Sequence, residues 1–104
     1  MAKATGFIEV FGLAAAFVAV DAGCKAANVT VDNFDKNKPA NPEGLPVPLQ
    51  VLVKFRGSVE DVTAAVAAAE EAVNRISGVV TKHIISGMSE GAEGMLHLNA
   101  FDKK

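Results

Sequence analysis

The order of apolar and polar positions divides the first third of the chain into a strand, a helix and a second strand. Gly6–Phe11 is a short run of β-forming residues, and Gly12 ends it. Residues 13–27 are rich in alanine and contain only two charges, so they predict a helix that is apolar nearly all round. Such a helix must be covered on more than one side. Val29–Asp35 predicts the second strand.

The second half of the chain contains two further strand patterns. Leu49–Arg56 alternates between two faces and places Val51, Val53 and Phe55 together on one of them. Val79–Ile85 is the other predicted strand.

A second helix is predicted between these two strands. Ser58–Asp61 is close to a capping box, and its two acids suit the positive end of a helix dipole. Glu71 and Arg75 are spaced to pair on the solvent-exposed face of this helix. Gly78 is expected to end the helix. The apolar positions alternate spacings of three and four and so predict one buried stripe: Val59, Val62, Val66, Ala69, Val73 and Ile76.

The element order β-α-β-β-α-β is that of an α+β, ferredoxin-like fold. This fold has an antiparallel four-stranded sheet with two helices on one face. We expect residues 1–85 to form one domain. Residues 86–104 are predicted to be a short C-terminal extension that packs on the same domain. Within it, the alternation of Met95–Phe101 favours a strand slightly over a short helix.

Composition narrows the classes of function. The 104 residues are 50% apolar but include no Trp or Tyr, so an isolated core would be thin and association is expected. The net charge of −2 and the 6% aromatic content argue against a nucleic-acid partner. A single cysteine cannot form an internal disulfide, which favours a reducing cytoplasm. The apolar run Val10–Val20 is too short to span a membrane.

No catalytic, cofactor-binding or metal-binding set is visible, so an enzyme is not expected. His83 and His97 each lack a second ligand at metal-site spacing. Cys24 lies in the apolar helix and is predicted to be a small buried side chain. The adjacent acids Glu70 and Glu71 point in different directions on a helix, which argues against a paired acid and base.

Four segments resemble the hexamer-forming shell proteins of bacterial microcompartments. The most specific is Asp21–Val29 (Asp-Ala-Gly-Cys-Lys-Ala-Ala-Asn-Val), and Gly6–Leu13, Phe55–Val62 and Gly78–Ile85 extend the likeness. The resemblance implies a flat homohexamer with an axial pore that passes small metabolites. It also implies tiling with other shell proteins around encapsulated enzymes, in a microcompartment shell in the cytoplasm.

The resemblance also implies an edge site between hexamers. Lys25 corresponds to the lysine that packs antiparallel against its copy in the neighbouring hexamer. Asp21 lies one turn earlier and can hold it by an i,i+4 pair. Asn28 is the third residue that the resemblance assigns to this edge. Many relatives have a second edge residue, an arginine after the last strand, but the corresponding segment Ser86–Met88 has none.

The predicted pore loop departs from the family pattern, because relatives have a short glycine-rich turn there. Lys36–Pro48 is long, and all four prolines lie in its last ten residues. Lys36–Gly44 resembles an insertion, and Leu45–Pro48 falls near the usual turn. Charged or apolar side chains could line the channel, and both options stay open for the pore-loop residues Lys36, Lys38, Glu43, Gly44, Leu45, Pro46, Val47 and Pro48. The loop has no cysteine, so no iron–sulfur cluster or other cofactor is expected.

Two alternatives compete with the shell protein. One is a trimeric regulatory module of the same fold that binds a small ligand, with the long loop as a lid. The other is a small hydrolase, which would need catalytic residues that the sequence does not display. The enlarged loop also resembles those of shell proteins from glycyl-radical compartments, which implies a glycyl-radical enzyme as the encapsulated pathway.

Overall fold

Four strands and two helices follow one another along the described chain in the predicted order β-α-β-β-α-β. The computed structural model describes residues 3–37 and 50–87. In chain order the elements are β1 (Ala4–Phe11), α1 (Leu13–Ala26), β2 (Thr30–Asn37), β3 (Gln50–Gly57), α2 (Val59–Asn74) and β4 (Val79–Ile85). The predicted extension lies outside the described residues from position 88 onward.

The strands form one antiparallel sheet in the order β2-β3-β1-β4. β1 is central and pairs with β3 from Ala4↔Gly57 to Phe11↔Gln50. On its other side β1 pairs with β4, with a bulge between Glu9 and Val10. This order confirms the predicted α+β, ferredoxin-like arrangement.

Both helices lie on one face of the sheet, and the core lies between the helices and the sheet. α1 contributes only small buried residues, namely Ala15, Ala16, Ala19 and Gly23. The larger side chains come from β1, β3 and α2: Ile8, Val10, Val51, Val53, Phe55, Val62 and Val73. The predicted inward face of the third strand is therefore confirmed.

Two glycines permit close packing of the helices. A Cβ at Gly23 would lie 2.5 Å from Cζ of Phe55, so α1 rests directly on that ring. A Cβ at Gly6 would lie 2.5 Å from Cγ1 of Val62, which brings α2 equally close to β1. A third glycine, Gly12, has φ 96° and makes the turn from β1 into α1.

Capping agrees with the sequence at the start of α2. The Ser58 side chain accepts a hydrogen bond of 3.1 Å from the Asp61 backbone N–H. α1 has no side-chain cap at its start. At its end the Ala27 N–H donates to the Gly23 carbonyl at 3.2 Å, and the chain then becomes extended.

One loop boundary is corrected by the sheet register. β2 continues through Asn37 because Lys36 and Asn37 still face Val51 and Gln50 in the ladder. Lys36 is therefore a strand residue and not the first residue of the loop. The other predicted pore-loop residues, from Lys38 to Pro48, lie outside the described residues.

Three burial predictions are wrong. Val59 is exposed because it lies in the first turn of α2, and Ile76 is exposed because α2 ends at Asn74, before the stripe reaches it. Cys24 is also exposed, since in this last turn of α1 the residue that faces the core is Gly23.

Candidate functional site

Lys25 lies in the last turn of α1, on the surface of the molecule. Its Nζ is 2.9 Å from Oδ2 of Asp21, and the two side chains are 76% and 62% exposed. The predicted i,i+4 pair is therefore present. A pair so open to solvent adds little to stability. Lys25 is thus well placed for a contact outside its own chain.

Asn28 follows α1 and contacts the start of α2, 33 residues later in the chain. Its backbone N–H donates to Oδ1 of Asp61 at 3.4 Å. The other carboxylate oxygen of Asp61 accepts from the Ser58 hydroxyl at 3.0 Å. A Cβ at Gly57 would come within 3.2 Å of the Asn28 carbonyl oxygen. We call these four residues, Asn28, Gly57, Ser58 and Asp61, the corner.

The corner and the base of the predicted pore loop lie at opposite ends of the same strands. β2 begins at Thr30, which faces Arg56 beside the corner, and ends at Asn37, which faces Gln50. The eight residues of β2 separate the two ends by about 23 Å, at about 3.3 Å per residue. The candidate edge and the base of the predicted pore loop therefore lie at opposite ends of the sheet.

Two apolar patches lie on opposite flanks of the molecule. Leu13 and Phe17 are 40% and 61% exposed on α1, and the Phe17 ring meets Phe34 of β2 edge-to-face at 5.4 Å. On the other flank, beyond α2, Ile76 and Val80 are 58% and 38% exposed. We call these the α1 flank (Leu13, Phe17) and the α2–β4 flank (Ile76, Val80).

The two flanks lie at similar positions along the strand direction of the sheet. The backbone N–H of Phe11, just before α1, donates to the Gly78 carbonyl at 3.1 Å. This bond places the start of α1 beside the end of α2. Both flanks are therefore closer to the loop end of the sheet than to the corner.

The sheet face away from the helices contains an ion pair between a buried lysine and a partly exposed aspartate. Lys54 Nζ is 2.8 Å from Oδ2 of Asp35, and the Lys54 side chain is only 3% exposed. A buried ammonium requires such a partner, because removing the ion from water is costly. This pair supports the sheet between the corner and the loop base.

The described residues contain no cluster of three or more potential metal ligands. Glu70 pairs with Lys82 at 2.6 Å, while Glu71 pairs with Arg75 at 2.7 Å. The two acids thus point in different directions, as predicted. His83 is an exposed residue of β4. Among residues 3–37 and 50–87, no nucleophile is joined to a base and an orienting group.

A depression of about 420 Å³ lies at the corner, where Lys3, Thr30 and Arg56 complete its wall. Another, of about 250 Å³, lies between α2 and β4. No described helix is long and apolar enough to cross a membrane.

Sequence reasoning missed two features of these surfaces. The capping pattern indicated that Asp61 would serve its own helix, but no local signal connects it to Asn28. The exposure of Phe17 could have been suspected from the all-round apolar character of α1, which needs a second cover.

Comparisons with known proteins agree on one family. The BMC domain family matches residues 4–88. Carboxysome shell protein CcmK1 of Thermosynechococcus vestitus is 39% identical over 98 residues, which cover 92% of this chain and 79% of the relative. Carboxysome shell protein CcmK2 of a Synechocystis strain is 37% identical, with coverage of 92% and 86%.

A solved structure supports the same fold. A microcompartments protein from Desulfitobacterium hafniense superimposes with a TM-score of 0.71 at 24% identity. The alignment covers 90% of this chain and 48% of that chain, so this chain spans about half its length. At that identity the similarity supports the fold alone.

Proposed function

Because this chain belongs to the BMC domain family of bacterial microcompartment shell proteins, we propose that six copies close into a ring with an axial pore and that these rings tile into a shell facet. One observation carries the proposal. β2 and β3 run from the corner beside Lys25 to the base of the long loop. A subunit with its loop end at the axis would place Lys25 at the rim.

The two apolar flanks support a ring. A cyclic contact joins two different surfaces of neighbouring copies, whereas a two-fold contact joins one surface to itself. The α1 flank and the α2–β4 flank are such a pair of different surfaces. Both lie toward the loop end, where subunits around an axis are closest together. Contact between the two flanks would also bury the apolar side of α1 that the sheet and α2 leave exposed.

The relatives support a structural role. The CcmK1 and CcmK2 relatives are carboxysome shell proteins, which favours a carboxysome-type shell over the glycyl-radical type. In that role the chain is a wall component and not an enzyme. Its partners are its own copies, other shell proteins and enclosed enzymes, while metabolites cross the pore. The cytoplasmic microcompartment shell is the corresponding location.

The mass of the assembly in solution tests the ring. Size-exclusion chromatography with light scattering should give six times the mass of one chain. A trimer that binds a small molecule tightly would instead support the regulatory module, with the depression at the corner as its ligand site. That result would overturn the shell proposal.

Charge reversal at Lys25 tests the edge. Lys25→Asp should leave rings intact but weaken sheet formation in electron micrographs, because two aspartates would meet across the edge. Glu71→Lys is the matched control, since it reverses a charge in another exposed i,i+4 pair of the described residues. Sheets that form equally well with Lys25→Asp would show that Lys25 is not the edge residue.

Replacement of residues 38–49 by a short Gly-Ser turn tests the pore loop. Asn37 and Gln50 are ladder partners, so a short turn can connect β2 to β3 without altering the sheet. We expect the shortened protein to fold and form rings, with changed permeation of charged solutes through assembled shells. An insoluble product would identify the loop as part of the core structure.

A further inference from the structure

The position of Lys25 depends on contacts on both sides of it in the chain. Gly23 is buried against Phe55, while Cys24, Lys25 and Ala26 are exposed. These three side chains do not belong to the core. After them, Ala27 packs against the core, and the Asn28 N–H then bonds to α2 in the corner. The end of α1 is thus held at Gly23 on one side and by Ala27 and Asn28 on the other.

Asp61 connects that second attachment to α2. One carboxylate oxygen accepts the Asn28 N–H at 3.4 Å, and the other is held by the Ser58 hydroxyl at 3.0 Å. The distance to Asn28 is long for such a bond, but the Asn28 carbonyl also lies close to Gly57, where an added Cβ would be 3.2 Å from the Asn28 oxygen. The Asp61 bond therefore acts together with the packing of Ala27 and Val29 on the core to set where the chain leaves α1.

We infer that Asp61 is a positioning residue for the edge, which it serves by holding Asn28 and so setting the height and direction of Lys25. This inference rests on the proposed edge role of Lys25. An antiparallel contact between two copies has two-fold symmetry. Any displacement of Lys25 is therefore doubled between the two partners, so a small loosening of the corner has a large effect on the contact.

Asp61→Ala removes the attachment and should raise the protein concentration needed for sheets by about tenfold, which corresponds to about 1.4 kcal/mol. Rings should remain. Hydrogen exchange at the Asn28 amide, measured on rings by mass spectrometry, should become faster. Asp61→Asn retains an acceptor oxygen for Asn28 and should restore most of both properties.

Three further variants separate positioning from a merely structural role. Glu60→Ala removes the neighbouring acid of the same first turn, for which no bond to Asn28 is seen in the described residues, so sheets should be unaffected. Val73→Ala destabilises the other end of α2 from within the core and should also leave assembly unchanged. Gly57→Ala instead pushes on the Asn28 carbonyl from the other side and should impair sheets as Asp61→Ala does.

The outcomes distinguish this inference from the proposed function. If Lys25→Asp abolishes sheets but Asp61→Ala assembles like Glu60→Ala, only the inference is overturned. Unchanged exchange at Asn28 in Asp61→Ala would overturn it as well. If Lys25→Asp itself leaves sheets intact, the edge assignment fails and the inference fails with it.

Discussion

Gly23→Ala should destabilise the protein although alanine is the better helix former. Gly23 lies within α1, and its backbone does not have a positive φ. The new methyl group would lie 2.5 Å from Cζ and 2.7 Å from Cε1 of Phe55, and 3.2 Å from the Ala65 carbonyl oxygen. Carbon atoms in good contact are about 3.5–4.0 Å apart, so the methyl group is about 1 Å too close to the ring.

The surroundings restrict how the clash can relax. The Phe55 ring is fully buried, and the Ala65 carbonyl belongs to the backbone of α2. Overpacking of this kind costs about 1–3 kcal/mol, and we expect the upper part of that range because ring and backbone both resist. The higher helix propensity of alanine offsets about 1 kcal/mol of this cost. The net loss should therefore be about 2 kcal/mol.

Urea denaturation followed by far-UV circular dichroism measures this loss, since the chain has no Trp or Tyr for fluorescence. A loss of about 2 kcal/mol lowers the midpoint by about 1–2 M. Wild type and variant are compared at one protein concentration, because assembly adds to stability. Gly78→Ala is the matched control. Its new Cβ would be 3.4 Å from the nearest atom, an ordinary contact, so the midpoint should change little.

A double variant tests the cause directly. Phe55→Leu shortens the ring that the methyl group meets, so Gly23→Ala should cost much less in that background than in the wild type. Equal costs in both backgrounds would refute the clash. A Gly23→Ala protein as stable as the wild type would refute the close approach of α1 to β3 altogether.

Three other perturbations probe the remaining contacts. Ser58→Ala removes the cap that accepts the Asp61 N–H, so it should cost about 1 kcal/mol in the same urea assay; an unchanged midpoint would contradict the cap. Asp35→Asn removes the carboxylate that faces the buried Lys54 ammonium, so it should lower stability by about 1–3 kcal/mol, whereas a neutral result would mean that the pair contributes nothing. Cys24, the single cysteine, is exposed next to the proposed edge. A bismaleimide should therefore crosslink two chains in assembled sheets but not in dispersed rings. Equal yields of crosslinked dimer in both would contradict the edge.

Local patterns along the chain predicted the elements because their causes are local. Alternation in β3 placed Val51, Val53 and Phe55 in the core, and the Ser58 cap marked the start of α2. The i,i+4 pair of Lys25 and Asp21 follows from helix geometry alone. The order of these elements was then sufficient to identify the ferredoxin-like sheet.

Contacts between distant segments were decided only in the tertiary structure. The pairing of Asn37 with Gln50 extended β2 into the predicted loop, and the early end of α2 left Ile76 on the surface. The bond between Asn28 and Asp61 joins residues 33 positions apart. Nothing in either local sequence specifies the other partner. The sequence by itself thus determined the strands, the helices and the i,i+4 pair of Lys25 and Asp21. The structure decided where the end of α1 meets α2 and which apolar side chains remain exposed, because both depend on the packing of the two helices on the sheet.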